Sequence, residues 1–180
     1  MKKTILSLAL AVITGSLFAQ KKTTTSATVS FDATTAKDAQ PKAENKTVIG
    51  SIDTKTGAVA FEAAVKNFSF ANPKMQGHFN GPNWMNSDSF SKFTFTGQIE
   101  KISKVKFKKD GVYNVRVTGD LKVKDISKKT TVPGTITVSN GKIKIAASFS
   151  VKLSDYNITG QQVDAGKVSR EPLVTMTAEF

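Results

Sequence analysis

The chain has 180 residues, 26 Lys+Arg against 14 Asp+Glu for a formal net charge of +12, a single His and no Cys. Disulfides, thiolate metal sites, thiol nucleophiles and a lipid-modified Cys after a leader are therefore excluded, and one His cannot be half of a conventional zinc site. The length suits one domain with a real core.

The first element is not part of that domain. Met1-Lys2-Lys3-Thr4 is basic, and Ile5 to Ala19 is apolar apart from Ser7, Thr14, Gly15 and Ser16. A basic start, a short apolar run and a small residue at its end predict a secretory signal peptide over residues 1–19, cleaved after Ala19. The run is too short for a comfortable membrane span. The expectation is a periplasmic or secreted protein beginning at Gln20, with residues 20–26 a flexible N-terminus and 27–180 the folded domain. In the cytoplasm such a basic chain would suggest nucleic acid. For an exported chain no nucleic-acid partner is expected; anionic head groups or wall polymers fit the charge, which also serves solubility.

Past the leader the dominant signal is alternation of apolar and polar residues, the period of a half-buried strand. After short strands at Thr28 to Phe31 and Thr47 to Ile52, Val59, Phe61, Ala63 and Val65 share a face. The apolar spacing then slips between Val65 and Phe68, as a β-bulge near Lys66-Asn67 would cause, and Phe68 and Phe70 lead out of the run. Phe93, Phe95, Gly97 and Ile99 form the next face, followed by Tyr113, Val115, Val117, Gly119, Leu121 and Val123. Ile143, Ile145, Ala147, Phe149, Val151 and Leu153 continue the pattern, with a second slip before Tyr156, and Val174, Met176, Ala178 and Phe180 close it. Turn signals stand at Lys55-Thr56-Gly57, Asp110-Gly111 and Asn140-Gly141. No segment carries a sustained helical stripe. The prediction is an all-β antiparallel barrel of about eight strands, preferred to a sandwich because strands this long leave costly open edges.

One segment breaks the pattern. From Met75 to Phe90 the alternation stops, and the only His (His78) and only Trp (Trp84) arrive with two of the four Met, Met75 and Met85. Pro73, Gly77, Gly81 and Pro82 limit it to a short helix or two. Its apolar members Met75, Phe79, Trp84, Met85 and Phe90 must be covered, either as a plug in a barrel end or as a cap over an apolar guest, for which flexible Met is suited. A triad of Ser87 or Ser89 with Asp88 and His78 can be assembled on paper, but no nucleophile elbow accompanies it. No catalysis and no cofactor are expected.

Two further patterns concern surfaces. Lys104, Lys106 and Lys108 alternate with Val105 and Phe107, and Lys122 and Lys124 lie on a nearby run. Side by side, these five lysines would form a basic stripe that docks on an anionic membrane. The terminal Phe180 also suits an outer-membrane barrel, whose apolar face would point at lipid. One Trp and two Tyr cannot supply aromatic girdles at both interfaces.

Gly77-His78-Phe79-Asn80 with Trp84-Met85 and Phe90 resembles the "D-x-H-L-x-S-x-D-F-F…P-x-x-x-F" signature of YceI-like proteins, and "VYNVRVTGDLKVKDISKKTTVPGTITV" resembles their "Y-x-V-x-G-x-L-T-I-x-G-V-T-K-x-V" strand–turn–strand. The resemblance covers most of residues 27–180. Met75-Gln76-Gly77 stands where the family has Arg-Asp before the His, Asp125 replaces the turn Gly, and Ser127-Lys128-Lys129 replaces Thr-Lys-Pro. The resemblance implies a lipocalin-like barrel in an exported protein that encloses a long polyisoprenoid or isoprenoid quinone, as a carrier or store. By position it places His78, Phe79, Trp84, Met85 and Phe90 at the cavity mouth and Phe61, Phe93, Phe95, Val117 and Phe149 along its wall; Phe68, Phe70 and Met75 adjoin the mouth. His78 would touch the ligand head or hold the cap through a hydrogen bond, the commoner use of a lone His.

Overall fold

A computed structural model describes residues 20–180; the leader read at 1–19 lies outside the described residues. The strands are β1 (Lys21–Asp32), β2 (Lys42–Asp53), β3 (Ala58–Ala64), β4 (Ser69–Phe70), β5 (Lys92–Ile99), β6 (Gly111–Val123), β7 (Ile126–Ser139), β8 (Lys142–Ser150) and β9 (Leu173–Glu179), with helices α1 (Pro73–Asn80) and α2 (Gln161–Asp164). Each long strand pairs antiparallel with its neighbour, and β1 bonds both β2 and β9, so eight strands close into a lipocalin-like barrel. The two-residue β4 continues the line of β3 along β2, after a one-turn 3₁₀ segment at Val65–Asn67. That turn is the slip anticipated between Val65 and Phe68. A second 3₁₀ turn, Leu153–Tyr156, stands where the other slip was read.

β1 begins at Lys21, where it pairs with Asp53, so residues 21–26 of the stretch read as a flexible N-terminus lie in a strand. Its lysines and threonines carry no apolar alternation, and pairing with β2 supplies what the pattern lacks. Asn45 anchors the irregular part of this pairing. It is 0% exposed; its Nδ2 donates to the Ala64 carbonyl at 2.9 Å, and its Oδ1 accepts from the Thr47 amide and hydroxyl, each at 2.9 Å.

Connections alternate between the two ends of the barrel. Loop 33–41, segment 65–91, the β6–β7 turn and segment 151–172 lie at one end; turn 54–57, loop 100–110 and the β7–β8 turn lie at the other. Asn140-Gly141 makes the latter turn with both residues at positive φ (49° and 76°), the geometry of a tight hairpin. Asp110-Gly111 is not a hairpin turn. It ends loop 100–110, whose Ile102, Val105 and Phe107 pack beneath Ile52, Ile99, Ile136, Val138 and Ile143 and stopper the barrel. The alternation of lysines with Val105 and Phe107 is thus a plug with its apolar side inward, because no neighbouring strand is available to pair with it.

Between stopper and mouth the barrel is hollow, for a reason visible in the inward positions. Gly97 faces Gly119 across β5 and β6, and Gly134 faces Ala147 across β7 and β8. A Cβ at Gly97 would stand 2.8 Å from the Phe95 ring, and one at Gly50 would stand 2.6 Å from the ring of Phe61. Glycine therefore lets both rings lie flat on the wall, as aromatic residues do when they cover glycine in designed sheets. The apolar face points inward. Among the described residues the large exposed hydrophobics are Ile49, Val112 and Leu173, on separate strands, which is not the apolar band of an outer-membrane barrel.

Candidate ligand cavity

The hollow is one apolar cavity of about 630 Å³, within the usual range for small-molecule sites. Phe61, Phe93, Phe95, Val117 and Phe149 line its wall as the alternation places them, together with Val115, Leu121, Ile145 and Ala147. Val29, Phe31, Val174 and Met176 complete the wall from β1 and β9.

Three segments build the mouth. In the first, Asn72 caps α1 by accepting from the Lys74 amide at 3.0 Å, with Pro73 in the first turn, an arrangement that satisfies a free amide and presets the backbone. Segment 81–91 then folds back on the helix: the Met85 amide donates to the Phe79 carbonyl at 3.0 Å, and the Ser87 amide donates to the Asn80 carbonyl at 3.1 Å. Loop 33–41 and segment 151–172 are joined by Thr35 Oγ1 donating to Gly166 O at 2.8 Å and Lys37 Nζ donating to Ala165 O at 2.9 Å. Trp84 extends toward the latter, within 3.7 Å of where a Cβ on Gly160 would lie.

Beneath the helix, Phe31, Phe68, Phe70, Phe79 and Phe93 form one aromatic cluster with neighbouring centroids between 5.0 and 5.9 Å apart. Each such pair adds roughly 0.5–1.5 kcal/mol beyond area burial, so the cluster both holds the cap down and lines the upper cavity. Phe68, Phe70, Met75, His78, Phe79, Trp84 and Met85 all reach the cavity. Phe90 does not. Segment 81–91 turns it outward, and its ring lies 5.4 Å from Lys124 Nζ, a cation–π contact.

The polar lining is confined almost wholly to the rim: Asp38, Asn72, Lys74, His78, Asn83, Gln162 and Lys167 come from the three mouth segments, and Thr94 from β5. His78 is exposed at this rim and its ring makes no hydrogen bond among the described residues; backbone bonds and the aromatic cluster, not the His, hold the cap. Two of the three candidate triad partners are engaged elsewhere. Ser87 is buried with its hydroxyl on Asn80 O at 3.3 Å, and Asp88 pairs with Lys66 at 2.6 Å. At the base of the cap, Tyr156 is buried against Thr130, and burial pushes its hydroxyl pKa up, assisted by nearby Asp155 and opposed by the bond to Thr130.

The five lysines do not form one stripe. Lys104, Lys106 and Lys108 sit in the stopper loop, while Lys122 and Lys124 sit at the mouth end of β6. The 13 residues of β6 separate the two groups by roughly 40 Å at about 3.3 Å per residue.

Solved structures share this architecture. A polyisoprenoid-binding domain from Saccharophagus degradans, implicated in plant cell wall breakdown, superposes with a TM-score of 0.74 at 12% identity, over 89% of this chain and 97% of that one. BcnA of Burkholderia cenocepacia gives 0.71 at 18% identity, over 86% and 96%. The YCEI protein of Campylobacter jejuni gives 0.59 at 16%, over 74% and 79%. No curated protein matches the sequence significantly. The pattern that defines YceI-like domains matches residues 12–180, and the chain belongs to that family.

Proposed function

We propose that the protein is an exported, non-catalytic lipid-binding protein that encloses an isoprenoid-type chain, a polyisoprenoid or isoprenoid quinone, as a carrier or store outside the cytoplasm. The observation that carries this reading is the cavity: an apolar chamber of about 630 Å³, stoppered at one end, with polar side chains gathered at the other. Such a site suits an amphiphile whose chain lies among Phe61, Phe95, Val117, Phe149 and Met176, and whose head stays at the rim near Asn72, Lys74, His78 and Lys167. Each buried methylene contributes about 0.8 kcal/mol with little directional demand, so the wall selects for apolar length and the rim for the head. The similarity to the Saccharophagus degradans polyisoprenoid-binding domain supports the same ligand class. The basic, apolar N-terminal stretch supports export.

The test is organic extraction of the chain from Gln20 to Phe180, purified from an exporting cell without detergent, followed by mass spectrometry. A stoichiometric polyprenyl species is the expected result. An empty extract from folded protein, with no change in Trp84 fluorescence on adding a C40 polyprenol, would overturn the reading.

A further inference from the structure

The end of the barrel opposite the mouth carries a charge pattern that the cavity does not use. Residues 101–109 read KISKVKFKK, five lysines in nine residues with no acid. All five are exposed, and none is ion-paired among the described residues. They stand on a fixed base. Ile102, Val105 and Phe107 are packed into the barrel end, and the Tyr113 hydroxyl reaches the Lys106 and Lys109 carbonyls at 3.3 and 2.9 Å. Lys55 of turn 54–57 and Lys144 near the start of β8 stand at the same end, and Asp110 ties the loop to the Asn140 amide at 3.1 Å.

The acids of this end are already engaged. Asp53 accepts from the Lys55 and Thr56 amides, Glu100 lies against Arg116 and Thr118, Asp110 holds Asn140, and Glu179 pairs with Lys142 at 3.1 Å. Of these, only Glu100 and Glu179 are offset by a cation; Asp53 and Asp110, bonded to amides, keep their negative charge, and the five unpaired loop lysines outnumber them, so the platform stays net positive.

We propose that this closed end docks on a bilayer bearing anionic head groups, holding the cavity mouth away from that bilayer. The charges are lysines, compact cations that suit a plane of phosphates better than a bidentate pocket. Phe107 and Tyr113 are committed to the stopper, so neither ring of the lysine loop's own base is presented for stacking on a nucleic-acid base. The chain's path favours the same orientation. Gln20, which follows the apolar run Ile5 to Ala19, lies at the closed end, where its carbonyl accepts from the Thr54 amide at 2.9 Å and hydroxyl at 3.1 Å. A chain emerging from a membrane therefore folds with its lysine face toward that membrane and its mouth outward. The docking holds whether the cavity is empty or filled.

The test uses Gln20 to Phe180, which contains every strand of the closed barrel, and sedimentation with phosphatidylcholine vesicles with or without 30% phosphatidylglycerol. Binding is expected only with phosphatidylglycerol and should be abolished by 0.5 M salt. The triple variant Lys104→Gln/Lys106→Gln/Lys108→Gln should weaken it by about 100-fold, since each lysine near the surface is worth about fivefold. The charge-matched mouth-end triple Lys122→Gln/Lys128→Gln/Lys129→Gln should stay within about fivefold of the parent, and circular dichroism confirms that both fold. Trp84, the only tryptophan, should escape quenching by a head-group nitroxide lipid. Equal weakening by the two triples, no binding by the parent, binding to soluble dextran sulfate but not to vesicles, or quenching of Trp84 would each overturn the proposal.

Discussion

Filling the lumen from its wall should separate ligand binding from folding. Ala147 lines the cavity from β8, opposite Gly134, which has no side chain to obstruct a larger neighbour, and beside Met176 on β9. Ala147→Phe directs a ring into the chamber without touching the stopper or the cap. A benzene-sized group occupies a cavity of about 150 Å³, and a water's share of liquid volume is about 30 Å³. Taking a methylene as comparable in size, the ring excludes about five of them from the bound chain. At about 0.8 kcal/mol each, that is about 4 kcal/mol, a rise in Kd approaching 10³-fold. Apo stability should change little or increase, because the ring enters empty apolar space rather than a packed core. Titration of delipidated protein with a C40 polyprenol, followed by Trp84 fluorescence, reads the affinity, and urea unfolding reads the stability. A folded variant binding within tenfold of the parent would refute the assignment of this chamber as the ligand site.

Trp84→Ala should raise Kd by about tenfold to 100-fold with a small loss of stability, measured by native mass spectrometry; Phe79→Ala, by contrast, breaks the aromatic cluster and should cost about 3–5 kcal/mol in urea unfolding. Asn45→Ala leaves the Ala64 carbonyl and the Thr47 amide without their partner and should destabilise by about 2–3 kcal/mol, with the urea midpoint lowered at unchanged slope. Tyr156 has a raised folded pKa, so its contribution to stability is fully present below the unfolded value of about 10 and is lost as pH rises through the folded one. Melting temperatures taken from pH 8 to 11.5 should therefore fall more steeply for the parent than for Tyr156→Phe.

Much of this was legible in the chain. Alternation reports which face of a strand is apolar, so Val59, Phe61, Phe93, Phe95, Val117 and Phe149 could be assigned to one side before any partner strand was known. The slips at Lys66-Asn67 and after Leu153 were visible because an irregularity in a strict period of two is itself a signal. The break from Met75 to Phe90 marked the cap for the same reason. Other features left no local trace. β1 runs from Lys21 through a stretch of lysines and threonines, because β2 offers its backbone as a partner there. The lysine-rich run at 101–109 alternates like a strand but has no strand beside it, so it folds into the barrel end instead. Phe90 has the composition of a cavity residue, yet the return of segment 81–91 turns it to Lys124.

The sequence alone determined the period, the apolar face and the segment that would leave the sheet, since these depend on each residue's own polarity and on its nearest neighbours. Tertiary structure decided that the apolar face points inward, which end is stoppered, and which lysines stand together. Those outcomes depend on closure between β1 and β9 and on glycines facing one another across strands. They are contacts between residues far apart in the chain, and no local pattern encodes them.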